Sequence, residues 1–433
     1  MRVLDIHNFR VRFKINKTSF FDAVKGIDLS IDEGEIVGLI GESGSGKSVA
    51  SQSITRLIDD ALLDGEVLFH NNESDVDILK IDSDTLREIR QRKIAYIFQE
   101  PMTALNPLIT CGKQIMECAL SKDESYLEEL LLKVELKDTH RVAQSFPHEL
   151  SGGQRQRVMI AMALAKQPTL LIADEPTTAL DIAVQTEILQ LLKKLSRDEK
   201  MGILFITHDL LSLGGFADRI AVMYKGNIVE TANGTDILNN PKHPYTKALI
   251  ESRATYNKRG TKLAEVDDLL HEENGSLLFA MPKKEMLTED EASDEVILNL
   301  NAVEKSHFKS SLFRKEETKV LHDIHFNLHQ GDILGLIGES GSGKSTIAKL
   351  ILNIWQPTTG KLSLHNKEIA SYEDLSKEIQ LVFQDPFSSL NPKHKVGKAI
   401  AEVLKHDDPS TSKSVVKNKV VSLLQEVGLT ASD

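Results

Sequence analysis

The sequence predicts an α/β protein that holds two tandem copies of one domain. Residues 38–48 read GLIGESGSGKS, and residues 335–345 read the same letters. In both places an apolar, strand-like run precedes the glycines and a helix-like run follows them, which is the strand–loop–helix order of an α/β domain. The two matches lie much farther apart than the roughly 20 to 50 residues of a solenoid repeat, so they indicate duplication of a whole domain.

The composition is that of an ordinary globular protein. The 433 residues are 41% hydrophobic and 27% charged, and at roughly 100 to 200 residues per domain they suffice for two or three domains. The presence of only 2 cysteines excludes a disulfide scaffold and fits a reducing compartment. Because no apolar run approaches the roughly 20 residues that cross a bilayer, and the first residues lack a signal-peptide pattern, we expect a cytosolic protein. The net charge of -12 argues against a general nucleic-acid binder.

The repeat divides the chain into three predicted segments. Residues 1–253 form a complete copy, and residues 296–433 form a second copy. Residues 254–295 hold eleven Asp or Glu against five Lys or Arg, which predicts a solvated acidic linker with one short ordered piece near residues 275–282. The second copy ends before its counterpart of the segment LSGGQ at residues 150–154. The chain therefore supplies two glycine loops, but one LSGGQ segment and one Asp–Glu pair.

The glycine loops match the pattern G-x-x-x-x-G-K-[ST] at every fixed position. In such a loop the backbone N–H groups and the following helix N-terminus point at phosphate oxygens, so Lys47 is predicted to reach the β- and γ-phosphates and Ser48 to ligate Mg2+. A glycine-rich turn without a ligand is the weaker alternative, because the motif occurs twice in the right context. The predicted phosphate-binding residues are Gly41, Glu42, Ser43, Gly44, Ser45, Gly46, Lys47 and Ser48, and in the second copy Gly338, Glu339, Ser340, Gly341, Ser342, Gly343, Lys344, Ser345 and Thr346. Ser345 is the corresponding Mg2+ ligand.

Two carboxylates end an apolar strand-like run at residues 170–174. Asp174 is predicted to hold Mg2+, and Glu175 to polarise the attacking water. For the pair alone, a buried strand capped by an acidic turn is an equally good explanation. The glycine loop in the same domain favours the catalytic one.

The segment LSGGQ precedes an amphipathic run and predicts a second anion-binding helix cap. One domain does not need two phosphate cradles for one triphosphate. We therefore expect this cap to close over the nucleotide of a partner domain, with an ordinary helix cap as the alternative. The residues concerned are Ser151, Gly152, Gly153 and Gln154.

Two further polar residues follow strand-like runs. His208 comes after residues 203–207 and is predicted to contact the γ-phosphate, and Gln99 comes after residues 94–98 and is predicted to sense Mg2+ and the attacking water. Taken alone, each pattern is more often structural than functional. Asp181 is predicted to lie at a domain–domain seam.

With these motifs in this order, the chain resembles ATP-binding cassette ATPases. The resemblance implies P-loop NTPase cassettes, each with a RecA-like mixed sheet, an antiparallel β part and a helical subdomain, stacked head-to-tail with ATP and Mg2+ between P-loop and LSGGQ. It also implies that Phe21 stacks on adenine and that Gln384 is the second copy's counterpart of Gln99. The residue that precedes Lys344 by the same distance as Phe21 precedes Lys47 is Thr318, which is not aromatic. The second site would therefore either use Phe313 or stack the base poorly.

Three segments resemble the ATPases of dipeptide, oligopeptide and nickel importers: residues 146–165, the pair EPMTALNP and DPFSSLNP, and NPKHPYTKALIES at residues 240–252. This resemblance implies a subunit peripheral to the cytoplasmic face of the cell membrane, two integral membrane permease subunits and an extracytoplasmic solute-binding protein, and no nucleic acid. Asn106 and its neighbours would receive a permease helix, with a Pro-bounded loop as the alternative. Many members bind an iron–sulfur cluster after HPYT. This sequence has no cysteine there, so we expect no cluster and regard Cys111 and Cys118 as ordinary side chains.

Rival functions remain open at this stage. A twin-cassette ATPase acting on the ribosome or DNA would resemble this chain in its duplication, but its linker is usually longer, basic and helical. A non-hydrolysing, nucleotide-gated scaffold would follow if the second copy is truly incomplete. Because the motifs of one such molecule do not make up a complete hydrolytic site, we expect hydrolysis to require two molecules that pair their first cassettes. Because a cassette does not touch the solute, the motifs fit peptide, glutathione and nickel-complex importers equally well.

Overall fold

A computed structural model describes the chain except for residues 17, 71–74, 100–103, 179, 255–257, 259–260, 274, 283–292, 312–313, 340, 370–374, 376–377, 384–388, 409 and 430–433. The chain divides into two compact units, Met1–Asp290 and Glu291–Asp433. Among the described residues, no helix has the length and apolar character that a membrane span requires.

An antiparallel sheet opens the first unit. Its strand order is β2-β1-β4-β5. The strands are β1 (Arg2–Lys14), β2 (Phe20–Asp32), β4 (Ala61–His70) and β5 (Asp75–Asp77). Buried apolar side chains recur along β1, which places one face of the sheet against the core: Val11 pairs with Val24 of β2 on one side and with Leu63 of β4 on the other.

A six-stranded sheet forms the centre of the first unit, with the order β10-β9-β3-β8-β7-β6. Its strands are β3 (Ile36–Ile40), β6 (Ile94–Ile97), β7 (Leu170–Asp174), β8 (Gly202–Thr207), β9 (Arg219–Tyr224) and β10 (Asn227–Asn233). All pairs are parallel except β9 with β10. The central strands β3, β7 and β8 are buried throughout, as their continuous apolar sequences predict. Their carboxyl ends meet at one edge, where the candidate site lies.

Helices surround this sheet. They are α1 (Lys47–Ile54), α2 (Ser83–Arg92), α3 (Cys111–Cys118), α4 (Glu124–Lys133), α5 (Thr139–Gln144), α6 (Gly152–Leu164), α7 (Ile182–Asp198), α8 (Leu210–Leu213), α9 (Gly234–Asn239) and α10 (Pro244–Glu251). Helices α3 and α4 both pack against α6, which forms the helical subdomain that the resemblance implies. Buried Val158 and Ile160 of α6 join the same core as buried Leu130 of α4.

The ordered part of the acidic linker is larger than the sequence suggests. A 3-10 turn at Asp267–Leu269 leads into a hairpin of β11 (Leu270–Glu273) and β12 (Ser276–Phe279). Val266 and Leu269 are buried in the core of the first unit, and the hairpin contacts α10. The expectation of one short ordered piece near residues 275–282 is therefore corrected: order begins by Val266, because apolar side chains between the acidic ones find partners on α10.

This packing predicts a measurable contribution to stability. Leu269 of the 3-10 turn is 1% exposed, whereas Leu278 of the following hairpin is 43% exposed. Replacing Leu269 with alanine should lower the free energy of unfolding by about 2–4 kcal/mol, because it removes a buried side chain and leaves a cavity. Leu278→Ala should cost less than about 1 kcal/mol. Urea unfolding of both variants measures this difference, and equal stabilities would mean that the segment behaves as a solvated linker.

The second unit contains an antiparallel sheet with the order β14-β13-β15-β16. Its elements are β13 (Val296–Ser311), β14 (Arg314–His329), α11 (Lys344–Ile351), β15 (Thr359–Leu364), β16 (Lys367–Glu368), α12 (Val396–Asp407) and α13 (Lys413–Glu426). One small core joins this sheet to α11, and another joins α12 to α13.

Among the described residues, parallel strand pairs occur in the first unit only. Residues 332–339 match residues 35–42 at all but two positions but form no strand, and Ile333 and Ile337 are 100% and 95% exposed. In the first copy, β3 lies between β8 and β9. The counterparts of those two strands are not among the 433 residues, so this segment lacks the neighbours that would pair its backbone and cover its side chains.

Candidate active site

The first glycine loop joins β3 to α1 and closely approaches neighbouring backbone. A Cβ atom on Gly41 would lie 2.2 Å from the Met223 carbonyl oxygen, and one on Gly46 would lie 2.6 Å from that of Ala23. Gly46 also caps α1 with a φ of 104°, in the left-handed region that favours glycine. The loop therefore requires glycine at both positions, for packing and for backbone conformation.

Lys47 holds the loop closed from within. Its Nζ donates to the carbonyl oxygens of Gly41 at 2.7 Å and Glu42 at 2.8 Å, and the residue is 5% exposed. Burial lowers the pKa of the Lys47 ammonium, and the nearby carboxylates of Glu175 and Asp174 oppose that shift. The ammonium therefore lies where a phosphate could replace the two carbonyls.

Two glycines of this loop give a matched pair of tests. Gly46→Ala should lower the free energy of unfolding by about 3 kcal/mol or more, because left-handed strain adds to a close contact with backbone. Gly44 has a φ of 81° but open space around its Cβ position, so Gly44→Ala should cost only about 1 kcal/mol from strain. Denaturant unfolding compares the two, and equal losses would contradict the described packing around Gly46.

Asp174 ends β7 directly beside the loop. Ser48 Oγ donates to Asp174 Oδ1 at 3.1 Å, and Tyr96 Oη donates to Oδ2 at 3.1 Å. Burial raises the pKa of the Asp174 carboxyl. A hydroxyl and a carboxylate oxygen side by side fit a hard divalent cation such as Mg2+. Within the described part of the chain, no cluster of three or more His, Cys, Asp or Glu could hold a metal, so phosphate and water oxygens would complete such a site.

Glu175 collects three donors on a single oxygen. Gln99 Nε2 lies 3.2 Å, Thr178 Oγ1 3.0 Å and His208 Nδ1 3.1 Å from Glu175 Oε2. Glu175 has a φ of 46°, an uncommon backbone conformation for a non-glycine residue that is often found at functional sites. The structure thus brings Gln99 and His208 to Glu175, as the strand-end positions suggest. Oε1 makes none of these three bonds.

Sequence reasoning did not identify two residues of this arrangement. Tyr96 belongs to β6, and its hydroxyl connects Asp174 to Ser51 Oγ at 2.9 Å. A polar hydroxyl within an otherwise apolar strand was the available signal. Thr178 follows Glu175 in a turn, and nothing in the spacing distinguished it from Thr177.

The LSGGQ segment forms a capping box at the start of α6. Ser151 Oγ accepts from the Gln154 backbone N–H at 3.3 Å, and Gln154 Oε1 accepts from that of Ser151 at 3.2 Å. No contact to the glycine loop is described for residues 151–154, and Ser151 is exposed. Asp181 caps α7 by accepting from Val184 N at 2.9 Å. A role for either motif toward a partner domain remains a prediction.

Phe21 lies on β2, beside the loop. The carbonyl of Ala23, two residues further along the strand, approaches Gly46. Phe21 is 56% exposed, so its side chain is accessible to a flat apolar group. Its stacking on adenine remains a prediction.

The second glycine loop repeats the local geometry of the first. Lys344 Nζ donates to the carbonyls of Gly338 at 2.6 Å and Glu339 at 2.7 Å, and Gly343 has a φ of 99°. Ser345 is exposed and Thr346 is buried. Ser340, Gln384 and Phe313 lie outside the described residues, and Thr318 lies on β14 opposite His307. No carboxylate pair corresponding to Asp174 and Glu175 accompanies this loop in the sequence.

Comparison with known proteins places the chain in a family. A family described as "ABC transporter" matches residues 24–178 and 321–432, and one described as "Oligopeptide/dipeptide transporter, C-terminal region" matches residues 229–273. The glutathione import ATP-binding protein GsiA of Salmonella paratyphi A (strain ATCC 9150 / SARB42) is 37% identical over 446 residues, which cover 99% of this chain and 71% of the relative. GsiA of Escherichia coli (strain K12) is 35% identical over 446 residues, with the same shares.

Solved structures give similar matches. The dimeric post-hydrolysis state of the ATP-binding cassette MJ0796, bound to ADP and Pi, is 34% identical with a TM-score of 0.46, over 53% of this chain and 98% of that chain. A further dimeric structure of MJ0796 is 33% identical with a TM-score of 0.47 and the same coverage. Because the family match reaches both copies and the relatives match 99% of the chain, this chain belongs to the ABC transporter family, as an ATP-binding and ATP-hydrolysing component.

Proposed function

We propose that this chain is the ATPase subunit of an importer for peptides or similar small solutes, and that its first cassette carries the catalytic site. The observation that supports this most is the convergence of Gln99, Thr178 and His208 on Glu175, next to Asp174. Acid–base catalysis needs a carboxylate that is held in place while one oxygen remains available. Glu175 Oε2 receives the three donors, which leaves Oε1 for a water molecule.

In this proposal, each of these residues of the first cassette has a separate role in ATP hydrolysis. The glycine loop and Lys47 hold the phosphates, with Lys47 leaving the carbonyls of Gly41 and Glu42. Ser48 and Asp174 hold Mg2+, which neutralises charge on the phosphates when bound. Glu175 accepts a proton as the water oxygen bonds to the γ-phosphorus and the bond to ADP breaks. Gln99 and His208 keep Glu175 aligned and face the γ-phosphate.

We further propose that first cassettes of two molecules pair. The exposed Ser151 lies at the N-terminus of α6, and no contact between residues 151–154 and a glycine loop is described. An anion bound there would gain from the partial positive charge of α6. Pairing would put Ser151, Gly152, Gly153 and Gln154 of one molecule over the nucleotide of the other, with Asp181 at the seam.

The membrane partners are proposed from the surface after Gln99. The backbone N–H of Asn106 donates to Gln114 Oε1, and its side-chain oxygen accepts from Leu108 N. This turn presents Leu108 at 84% exposure, which suits an apolar helix of a permease subunit. We propose two integral membrane permease subunits, an extracytoplasmic solute-binding protein and a peripheral position at the cytoplasmic face of the membrane.

For the solute, a peptide-like molecule such as glutathione is proposed, because the relatives above are named for glutathione import. We propose no iron–sulfur cluster, since Cys111 is buried, Cys118 is partly buried, and no cysteine follows the HPYT segment.

Reconstitution tests this function. The full chain is co-expressed with candidate permease subunits from the same organism, captured through a tag on the chain, and placed in liposomes with a candidate solute-binding protein. We expect ATP-dependent uptake of labelled dipeptide or glutathione that disappears with Glu175→Gln. ATP turnover without any association with membrane subunits, together with ribosome binding, would instead support the rival twin-cassette function.

A further inference from the structure

The HPYT segment at the start of α10 contains a tyrosine that reaches the glycine loop. The hydroxyl of Tyr245 accepts a hydrogen bond from the backbone N–H of Glu42 at 2.9 Å and lies 3.4 Å from Glu42 Oε2. The residue is fully buried. We propose that Tyr245 is a positioning residue for ATP binding, which holds the first turn of the glycine loop through Glu42. This inference rests on the assignment of that loop to ATP.

The surroundings of Tyr245 fix its hydroxyl in place. Its ring stacks on that of Tyr224 with 4.2 Å between centroids. Its backbone N–H donates to His243 Nδ1 at 3.2 Å, which caps α10. The carboxylate of Glu230 in turn accepts from the backbone N–H groups of Lys242 at 2.7 Å and His243 at 2.9 Å. The polar contacts of this segment thus converge on the entry to α10 and orient Tyr245.

Glu42 is held at both ends in the absence of nucleotide. Tyr245 binds its N–H, and Lys47 Nζ binds its C=O. When Lys47 turns to the phosphates, the carbonyl of Glu42 loses this ammonium. The Tyr245 hydroxyl does not depend on the nucleotide, and burial raises its pKa, so it remains a neutral hydroxyl near neutral pH. Tyr245 therefore matters most in the nucleotide-bound loop.

The second copy indicates that the unliganded shape of the glycine loop does not require a tyrosine contact. Lys344 binds the carbonyls of Gly338 and Glu339 just as Lys47 binds those of Gly41 and Glu42. No tyrosine contact to Glu339 is described in that part of the second unit. The unliganded shape of the loop therefore forms from local contacts, and removing the Tyr245 hydroxyl should leave it intact.

Tyr245→Phe tests the inference in the full chain. Both it and the reference protein carry Lys344→Ala, so that nucleotide binding reports on the first loop. The Kd for a fluorescent ATP analogue and the KM for ATP should rise about threefold to tenfold, because the N–H of Glu42 loses its acceptor, with kcat within about twofold. Tyr126→Phe is the control: its hydroxyl donates to the Ala165 carbonyl at 3.4 Å, away from the loop, and both constants should stay unchanged.

Two results would overturn the positioning role. One is an unchanged Kd in Tyr245→Phe, and the other is a fall in kcat without any change in Kd or KM. Lys47→Ala in the same background distinguishes a failure of the Tyr245 role from a failure of the ATP-site assignment. If nucleotide binding survives Lys47→Ala, the first glycine loop is not the ATP site.

Hydrogen exchange provides a second measurement if Tyr245→Phe does not fold. In the unmodified protein without nucleotide, the amide of Glu42 should exchange at least about a hundredfold more slowly than an amide in an unstructured peptide, because it is hydrogen-bonded to the hydroxyl of the buried Tyr245. Exchange at the unstructured rate would show that the bond to Tyr245 does not form, and would overturn the proposal.

Discussion

Replacing Glu175 with glutamine is expected to lower ATP turnover by about 10²- to 10⁴-fold while ATP binding is retained. A general base contributes about that factor, and an amide cannot accept the proton of the attacking water. Glutamine has the size of glutamate, so the donors from Gln99, Thr178 and His208 keep an oxygen to bind. Phosphate release at saturating ATP measures turnover, and a fluorescent ATP analogue measures binding.

The control for this variant is Glu199→Gln. Glu199 forms an exposed ion pair with Lys133 at 2.9 Å, and exposed pairs contribute only about 0–1 kcal/mol to stability. Its turnover should remain within about twofold of the unmodified protein. If Glu175→Gln also kept turnover within about threefold, the base would have to lie elsewhere.

Lys47→Ala and Lys344→Ala are expected to differ strongly. Removing Lys47 should lower turnover by about 10²-fold or more, because a buried ammonium that faces the phosphates is lost. Lys344→Ala should keep at least about a third of the turnover, since its loop has no accompanying Asp–Glu pair in this sequence.

Turnover and nucleotide binding of the two lysine variants should be measured side by side. If both variants lost turnover completely, catalysis would require both glycine loops. A larger loss in Lys344→Ala would place the catalytic site in the second copy and refute the central assignment.

Much of the site could be predicted from the sequence because it lies at strand ends. Gln99, Asp174 and His208 each follow an apolar run, and the ends of parallel strands meet at one edge of a sheet. This geometric rule explains why residues far apart in the chain meet. It gives no distances, so it did not reveal that three donors share one oxygen of Glu175.

The contacts of Tyr96 and Tyr245 lay beyond prediction for a different reason. Alternation along β6 can place Tyr96 on a face of the sheet, but not opposite Asp174. The bond between Tyr245 and Glu42 joins residues 203 positions apart, through a helix whose orientation depends on tertiary packing. Local patterns carry no information on such pairs.

Two segments show how neighbours override local sequence. The acidic residues near 265–273 suggested a solvated linker, yet Val266 and Leu269 are buried because α10 and its surroundings offer apolar partners. Residues 333–337 match β3 at four of five positions but form no strand, because the counterparts of the strands that flank β3 are not among the 433 residues. A strand is defined by its neighbours as much as by its own residues.

The most direct test of the account is to mix two inactive variants. Lys47→Ala removes the phosphate lysine. Gly152→Asp places a carboxylate in the LSGGQ cap, where a Cβ atom meets only the ends of the Leu180 and Arg155 side chains at 3.3 and 4.0 Å, and an acidic residue suits a helix N-terminus. Each variant alone should be inactive, because both sites of every pair are damaged.

Mixed one to one, the two variants should recover about a quarter of the unmodified turnover, because half of the pairs are mixed and each mixed pair holds one intact site. Thermal unfolding of each variant alone confirms that both are folded. A mixture of folded variants that remains inactive would contradict a site shared between the first cassettes of two molecules.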